Sequence, residues 1–225
     1  MINNELGFVL RRFLPEKQKI SVLSKSRGKI NLSIASLQNC QKLWPGNLIA
    51  YNYTSLYTAK MYQKNGMQKS HNSIEDRIEI LYVPSEFTGH RIYWIHHLLE
   101  ICYYFFPLEQ PCFEVFELLS NALRLTVRAE LYTYEFMVQK LCIIKLLSYA
   151  GFVPPLHFQK FLQLFEIVCS QAVDEAERSK IELTKILLEE DNKDLNDIFD
   201  VWILKALKTH PNFNFFKGSK FLHQT

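Results

Sequence analysis

Arg11, Arg12, Lys17, Lys19, Lys25, Arg27, Lys29, Lys42, Lys60, Lys64 and Lys69 crowd the first 70 residues against two acids, Glu5 and Glu16. Eleven bases against two acids leave this segment at +9, whereas fifteen against twenty-one leave residues 71–225 at −6. A charge asymmetry of this size points to a polyanion as the partner of the basic segment. Aromatic residues are interleaved with the bases: Phe13, Trp44, Tyr51, Tyr53, Tyr57 and Tyr62. Cations neutralise phosphates and aromatic faces stack on bases, so the combination suits a groove for single-stranded nucleic acid. Tyr51 and Tyr53 are spaced to face the same side of a strand. Lysines on strand faces also serve as ordinary solubilising surface, and one of the aromatic sets must fill a core.

Other chemistry finds less support. His96 and His97 are adjacent, and His97-Leu98-Leu99-Glu100 sets a histidine and a carboxylate about one helical turn apart. Two such ligands can share a metal, but a binuclear carboxylate site needs the element repeated on facing helices, and no second set occurs. A partly buried histidine pair is the expectation, with a helical metalloenzyme the weakest alternative. The five cysteines (Cys40, Cys102, Cys112, Cys142 and Cys169) form no CxxC and read as reduced, mostly buried thiols. There is no nucleophile elbow and no phosphate-binding loop. The carboxylate clusters Asp174-Glu175 and Glu189-Glu190-Asp191 lie in charged, helical stretches and read as solvated surface. No enzyme activity and no cofactor are expected. The most apolar stretch, Ile92 to Phe106, holds His96, His97 and Glu100 and is too short to span a bilayer. With no charged-then-apolar leader, a soluble, cytoplasmic protein is expected.

The elements that must carry these residues change period along the chain. Gly7 to Arg12, Lys19 to Leu23, Lys29 to Ala35 and Asn47 to Tyr53 read as short strands, separated by turns at Pro15-Glu16, Ser26-Arg27-Gly28 and Pro45-Gly46. Ile30, Leu32 and Ile34 alternate with Lys29, Asn31 and Ser33, the mark of a half-buried strand. Gln63 to Asn72 reads as an exposed loop or hairpin tip, and Arg77 to Val83 as a last strand before Pro84. Even spacing of short strands implies a small barrel or sandwich. From Thr88 the period is helical. Ile92, Ile95, Leu99, Cys102 and Phe106 share a face, with Pro107 as the stop. Further helices are expected with Val115, Leu118, Leu119 and Ala122 inward, over 130–149 with Gly151 as cap, after Pro155, over 175–190, and from Asp194 or Asn196 through Ile198, Trp202 and Leu207. An aromatic, basic tail runs from Pro211 to Thr225.

Five pieces, in order, resemble the RecO family of bacterial recombination mediators. They are Gly7 to Arg12 with a turn holding Glu16; Ile20 to Leu23 followed by Ser26 to Ile30; the helix Ile92 to Phe106 with Leu98-Leu99-Glu100, then Phe113 to Leu123; Leu141 to Gly151 with Leu146-Leu147-Ser148-Tyr149; and Lys217 to Leu222. Together they span nearly the full length. The resemblance implies an α+β, multidomain fold: a five-stranded OB-type β-barrel over 1–84, then an all-α helical bundle over 85–225. It implies annealing of complementary strands, binding of single-stranded and also duplex DNA, and help in loading RecA on DNA coated by single-stranded-DNA-binding protein (SSB). RecR and the acidic, Phe-ending tail of SSB are the implied protein partners, and nucleoid association follows. A pocket for that tail needs an apolar hole rimmed by bases. Arg124, Arg128, Lys140 and Lys145 lie where they could supply the rim.

The sequence departs from the family twice. The segment after Leu141 to Pro155 holds only Cys169, so the four-cysteine zinc site of many members cannot form. Ala35 to Cys40 contains no base where the family is usually richest. That second departure favours, as an alternative, an OB-fold adaptor whose main ligand is protein.

Overall fold

The computed structural model describes residues 4–13, 18–34, 36–54, 73–83, 90–127, 135–169, 185 and 194–216. The chain divides into two compact units. One comprises Met1–Ser85 with Phe106–Phe116, the other Glu86–Phe105 with Glu117–Thr225. A single cut after residue 84 therefore misses one feature: the segment from Phe106 to Phe116 belongs with the strands.

The first unit is built on a five-stranded sheet of β1 (Asn4–Arg12), β2 (Lys19–Ser24), β3 (Gly28–Ile34), β4 (Leu48–Thr54) and β5 (Ser73–Tyr82). Pairing runs β1-β2-β3-β5-β4, and β4 also pairs with β1. Every contact is antiparallel except β3 with β5, which is parallel over Ser33↔Ser73 and Ile34↔Ile74. The period-2 pattern holds on β3, where Ile30, Leu32 and Ile34 are buried and Asn31 is exposed. These three join Val9, Ile20, Val22, Ile49 and Tyr51 in one core, because strict alternation turns all of one face inward.

Lys29 breaks the pattern and is only 9% exposed. The segment after Phe106 explains it. Leu108 bridges to Lys29 in parallel, and the Glu109 N–H donates to the Lys29 carbonyl at 2.8 Å. Phe116 brings its ring to 5.0 Å from that of Phe8. Gly28 permits this close approach: its φ is +72°, and a Cβ there would lie 1.8 Å from the Gln110 carbonyl oxygen. The adjoining turn is pinned by Glu5, whose carboxylate accepts from Ser24 Oγ at 2.7 Å, Ser26 N at 2.9 Å and Ser26 Oγ at 2.8 Å.

Between β3 and β4 stands a short helix that the sequence pattern did not reveal, α1 (Leu37–Lys42). Ser36 caps it by accepting from the Asn39 N–H, and Cys40 with Leu43 anchors it in the sheet core.

The second unit holds α2 (His90–Phe105), most of α3 (Phe113–Val127), α4 (Glu135–Tyr149), α5 (Gln159–Cys169) and α6 (Leu195–Thr209). Buried positions surround much of α2 and α4, including Trp94, Ile95, Leu98, Leu99, Ile101 and Cys102 on α2. The expected single stripe on α2 is thus too narrow, and Ile92 is exposed. On α6 the inward set is Leu195, Phe199, Ile203, Ala206 and Leu207, and Ile198 is exposed. Gly151 ends α4 as expected. At φ +96° it donates to the Ser148 carbonyl while Phe152 donates to that of Leu147, the paired bonds of a left-handed helix stop. The expected loop over 63–72, all of the expected helix over 175–190 except residue 185, and the tail beyond Phe216 lie outside the described residues. No described helix is long and apolar enough to cross a membrane.

Candidate nucleic-acid interface

The chain end of β1 and the turn after α1 come together to form a cationic and aromatic cluster among the described residues. The pairing of β1 with β2 shifts register between Val9 and Arg11, which re-aims the chain just before its two arginines. Arg11 is exposed, with its guanidinium carbon 5.6 Å from the Phe13 ring centroid. Arg12 donates from Nη1 to the Gln41 carbonyl at 3.1 Å, satisfying one of the carbonyls that the end of α1 leaves open. The same guanidinium lies 4.3 Å over the ring of Trp44.

The turn beneath Trp44 is fixed by its own hydrogen bonds. Trp44 N–H donates to Asn47 Oδ1, and Asn47 N–H returns a bond to the Trp44 carbonyl. Gly46 N–H donates to the Val9 carbonyl and Val9 N–H to that of Asn47, so β1 and the turn are stitched together. Lys42, exposed in the last turn of α1, adds a further cation near Trp44 in sequence. Lys19, half-buried at the start of β2, belongs to the same end of the sheet, where its carbonyl accepts from Phe13 N–H.

Three further cations, Lys25, Arg27 and Lys29, sit at the opposite end of β2. Lys25 places its ammonium 5.2 Å from the Phe113 ring and 5.9 Å from that of Phe116. Arg27 is half-buried in the turn, and Lys29 is buried under Leu108 and Glu109. Lys29 is therefore corrected from groove cation to packed residue. Tyr51 is corrected likewise: it is 1% exposed and fills the core, so its ring offers no face to a base. Tyr53 follows on β4, paired with Ile74. Lys17, Lys60, Lys64 and Lys69 lie outside the described residues, as do Tyr57 and Tyr62. The sequence reading missed Gln41 and Asn47, whose roles are a backbone carbonyl and a turn-closing amide, and only Pro45-Gly46 hinted at that turn.

The helical unit does not offer the expected basic rim at Lys140. That residue is 5% exposed. Its Nζ donates to Asp200 Oδ2 at 2.7 Å and to the Asn196 carbonyl at 3.3 Å, and also to Asn196 Oδ1. Its charge is consumed inside the α4–α6 packing. Lys145 pairs with Glu166 and lies 5.0 Å from the Tyr149 ring. Arg124 is on α3, and Arg128 lies outside the described residues.

His97 is buried with its ring 5.9 Å from that of Phe216, whereas His96 is exposed. Among the described residues no three His, Cys, Asp or Glu side chains gather as a metal would require. Burial pushes the Cys40, Cys112 and Cys142 thiols above their usual range, and Cys169 up to about 12. Thiols held protonated in this way are poor nucleophiles. No protein-family model matches the chain, and no curated protein matches it significantly.

Proposed function

We propose that this chain is a non-enzymatic, RecO-like mediator of DNA recombination and repair. It binds single-stranded DNA, and also duplex DNA, through its strand unit, taken as an OB-type barrel. The observation that carries the proposal is the cluster of Arg11, Arg12, Lys42 and the exposed indole of Trp44 at one end of β1. The pairing order, with β4 returning to β1 and β3 meeting β5 in parallel, supports the barrel.

The chemistry is electrostatic. Two complementary strands repel through their phosphates, and a cationic surface that neutralises some of them lets the bases meet. No cofactor takes part. Help in placing RecA on SSB-coated strands, with RecR and the SSB tail as partners of the helical unit, follows from the RecO likeness; Lys140 has no place in that docking surface. Oligonucleotide affinity should fall steeply as salt rises, because every neutralised phosphate releases counterions. Titration of a labelled single strand at several salt concentrations measures this, and an affinity that stays flat sinks the proposal.

A protein-binding adaptor is favoured by one observation. The base-free stretch before Cys40 forms α1, packed on the core at Cys40, where the family is usually rich in cations. A strand-annealing assay separates the two functions, since an adaptor leaves the annealing rate unchanged.

A further inference from the structure

Trp44 differs from Tyr51 in being both open and fixed. Its side chain is 57% exposed. One face carries the Arg12 guanidinium at 4.3 Å, and that guanidinium is itself held by the Gln41 carbonyl. The backbone is held by two bonds with Asn47, and the turn is joined to β1 through Gly46 and Val9. A ring positioned in advance loses little freedom when a ligand arrives, so more of the contact appears as affinity. The indole also presents a wide π-face. A cation behind it, exposed Lys42 two residues before it and exposed Arg11 next to Arg12 in the chain supply what a negatively charged, planar ligand needs.

We propose that the face of Trp44 opposite Arg12 is a platform for one unpaired base, and that it makes the protein prefer single strands to duplex. The inference rests on the nucleic-acid function proposed above and adds what that function leaves open. Cations alone hold phosphates of either form. A flat aromatic face takes only a base that has left its stack, and every base can use it because every base has a π-face. Arg12 acts here as a positioning residue, fixing the ring from behind, while Arg11 and Lys42 meet the flanking phosphates.

The test compares two labelled strands of equal length on the full chain: poly-dT, and a strand with the same backbone but abasic throughout. The parent should bind poly-dT more tightly than the abasic strand. Trp44→Ala should lose roughly 5- to 150-fold on poly-dT, the range for loss of one stacked base, and almost nothing on the abasic strand. Trp44→Phe should keep most of the affinity. Equal binding of the two strands by the parent overturns the platform without reliance on any variant. A Trp44→Ala protein that keeps the parent's affinity for poly-dT, or loses equally on both strands, overturns it too. Binding of neither strand at low salt removes the nucleic-acid function itself, and the platform with it.

Discussion

In the strand unit, Arg11 and Lys42 stand exposed, and Arg12 uses its guanidinium on a carbonyl and an indole, neither of which carries a net charge. In the helical unit, Lys140 is buried on Asp200 and Lys145 is paired with Glu166. A charge count treats these side chains alike, but their fields differ. A lysine matched to a carboxylate contributes almost nothing at a distance, whereas an arginine set on an aromatic face keeps its full charge for a ligand. In the −6 segment Lys140 and Lys145 are matched to that segment's own acids, whereas the +9 segment has only two acids, one of which, Glu5, is occupied by the Ser24–Ser26 turn. Local pairing, more than composition, decides which end of a chain can attract a polyanion.

The contrast breaks most sharply at Lys140. Lys140→Met leaves Asp200 buried on one side without its partner, and Asp200 Oδ1 already lacks a hydrogen bond in the structure. Removal of one member of a buried pair costs about 3–5 kcal/mol, and the 20% exposure of the Asp200 side chain sets the expected loss at about 3 kcal/mol. Urea denaturation measures it. Lys140→Met with Asp200→Leu should recover much of the loss, since no uncompensated charge remains. Oligonucleotide affinity of the folded single variant should equal that of the parent; a drop there would mean that Lys140 reaches ligand after all.

In the strand unit the largest structural effect is expected at Gly28. Gly28→Ala forces an L-residue to φ +72° and drives a methyl against the Gln110 carbonyl. The expected cost is about 2 kcal/mol, from backbone strain and from displacement of the clasping segment. Hydrogen exchange at the Glu109 amide, which donates to the Lys29 carbonyl, should speed up with it. Unaltered exchange would show that the segment is held by Phe116 on Phe8 and not at Gly28.

Much of the strand unit was legible because alternation on β3 and the turn residues at Ser26-Arg27-Gly28 and Pro45-Gly46 are local signals. The helical period after Thr88 was legible for the same reason, as was the Gly151 stop. Three things were not. The helix α1 is too short to show a period, and only Ser36 marked its start. The clasp of residues 106–116 on β3 is a tertiary contact, and nothing near Lys29 announces that it will be covered. Tyr51 and Trp44 look alike as aromatics in a basic segment; their fates part because Tyr51 lies on the inward register of β4, while Trp44 sits in a turn. At the site itself, Arg11 and Arg12 were visible as bases, but the split between an exposed cation and one that backs an indole depends on the fold.

The finest test of the contrast sets Arg11 against Lys145. Both are single bases on regular elements, and neither is buried. Arg11→Gln should lower the slope of log affinity against log salt by about one, the loss of one phosphate contact, and weaken all sequences evenly. Lys145→Gln should leave that slope where it was, because the pair with Glu166 has already cancelled its charge. Stability should move in neither variant by more than about 0.5–1 kcal/mol, since exposed charges and surface pairs contribute little. If Lys145→Gln lowers the slope as much as Arg11→Gln does, the helical unit also touches phosphate, and the division of labour between the two units is wrong. If neither moves it, the cations of the strand unit that matter are Lys19 and Lys42, and the site shifts from the end of β1 toward α1.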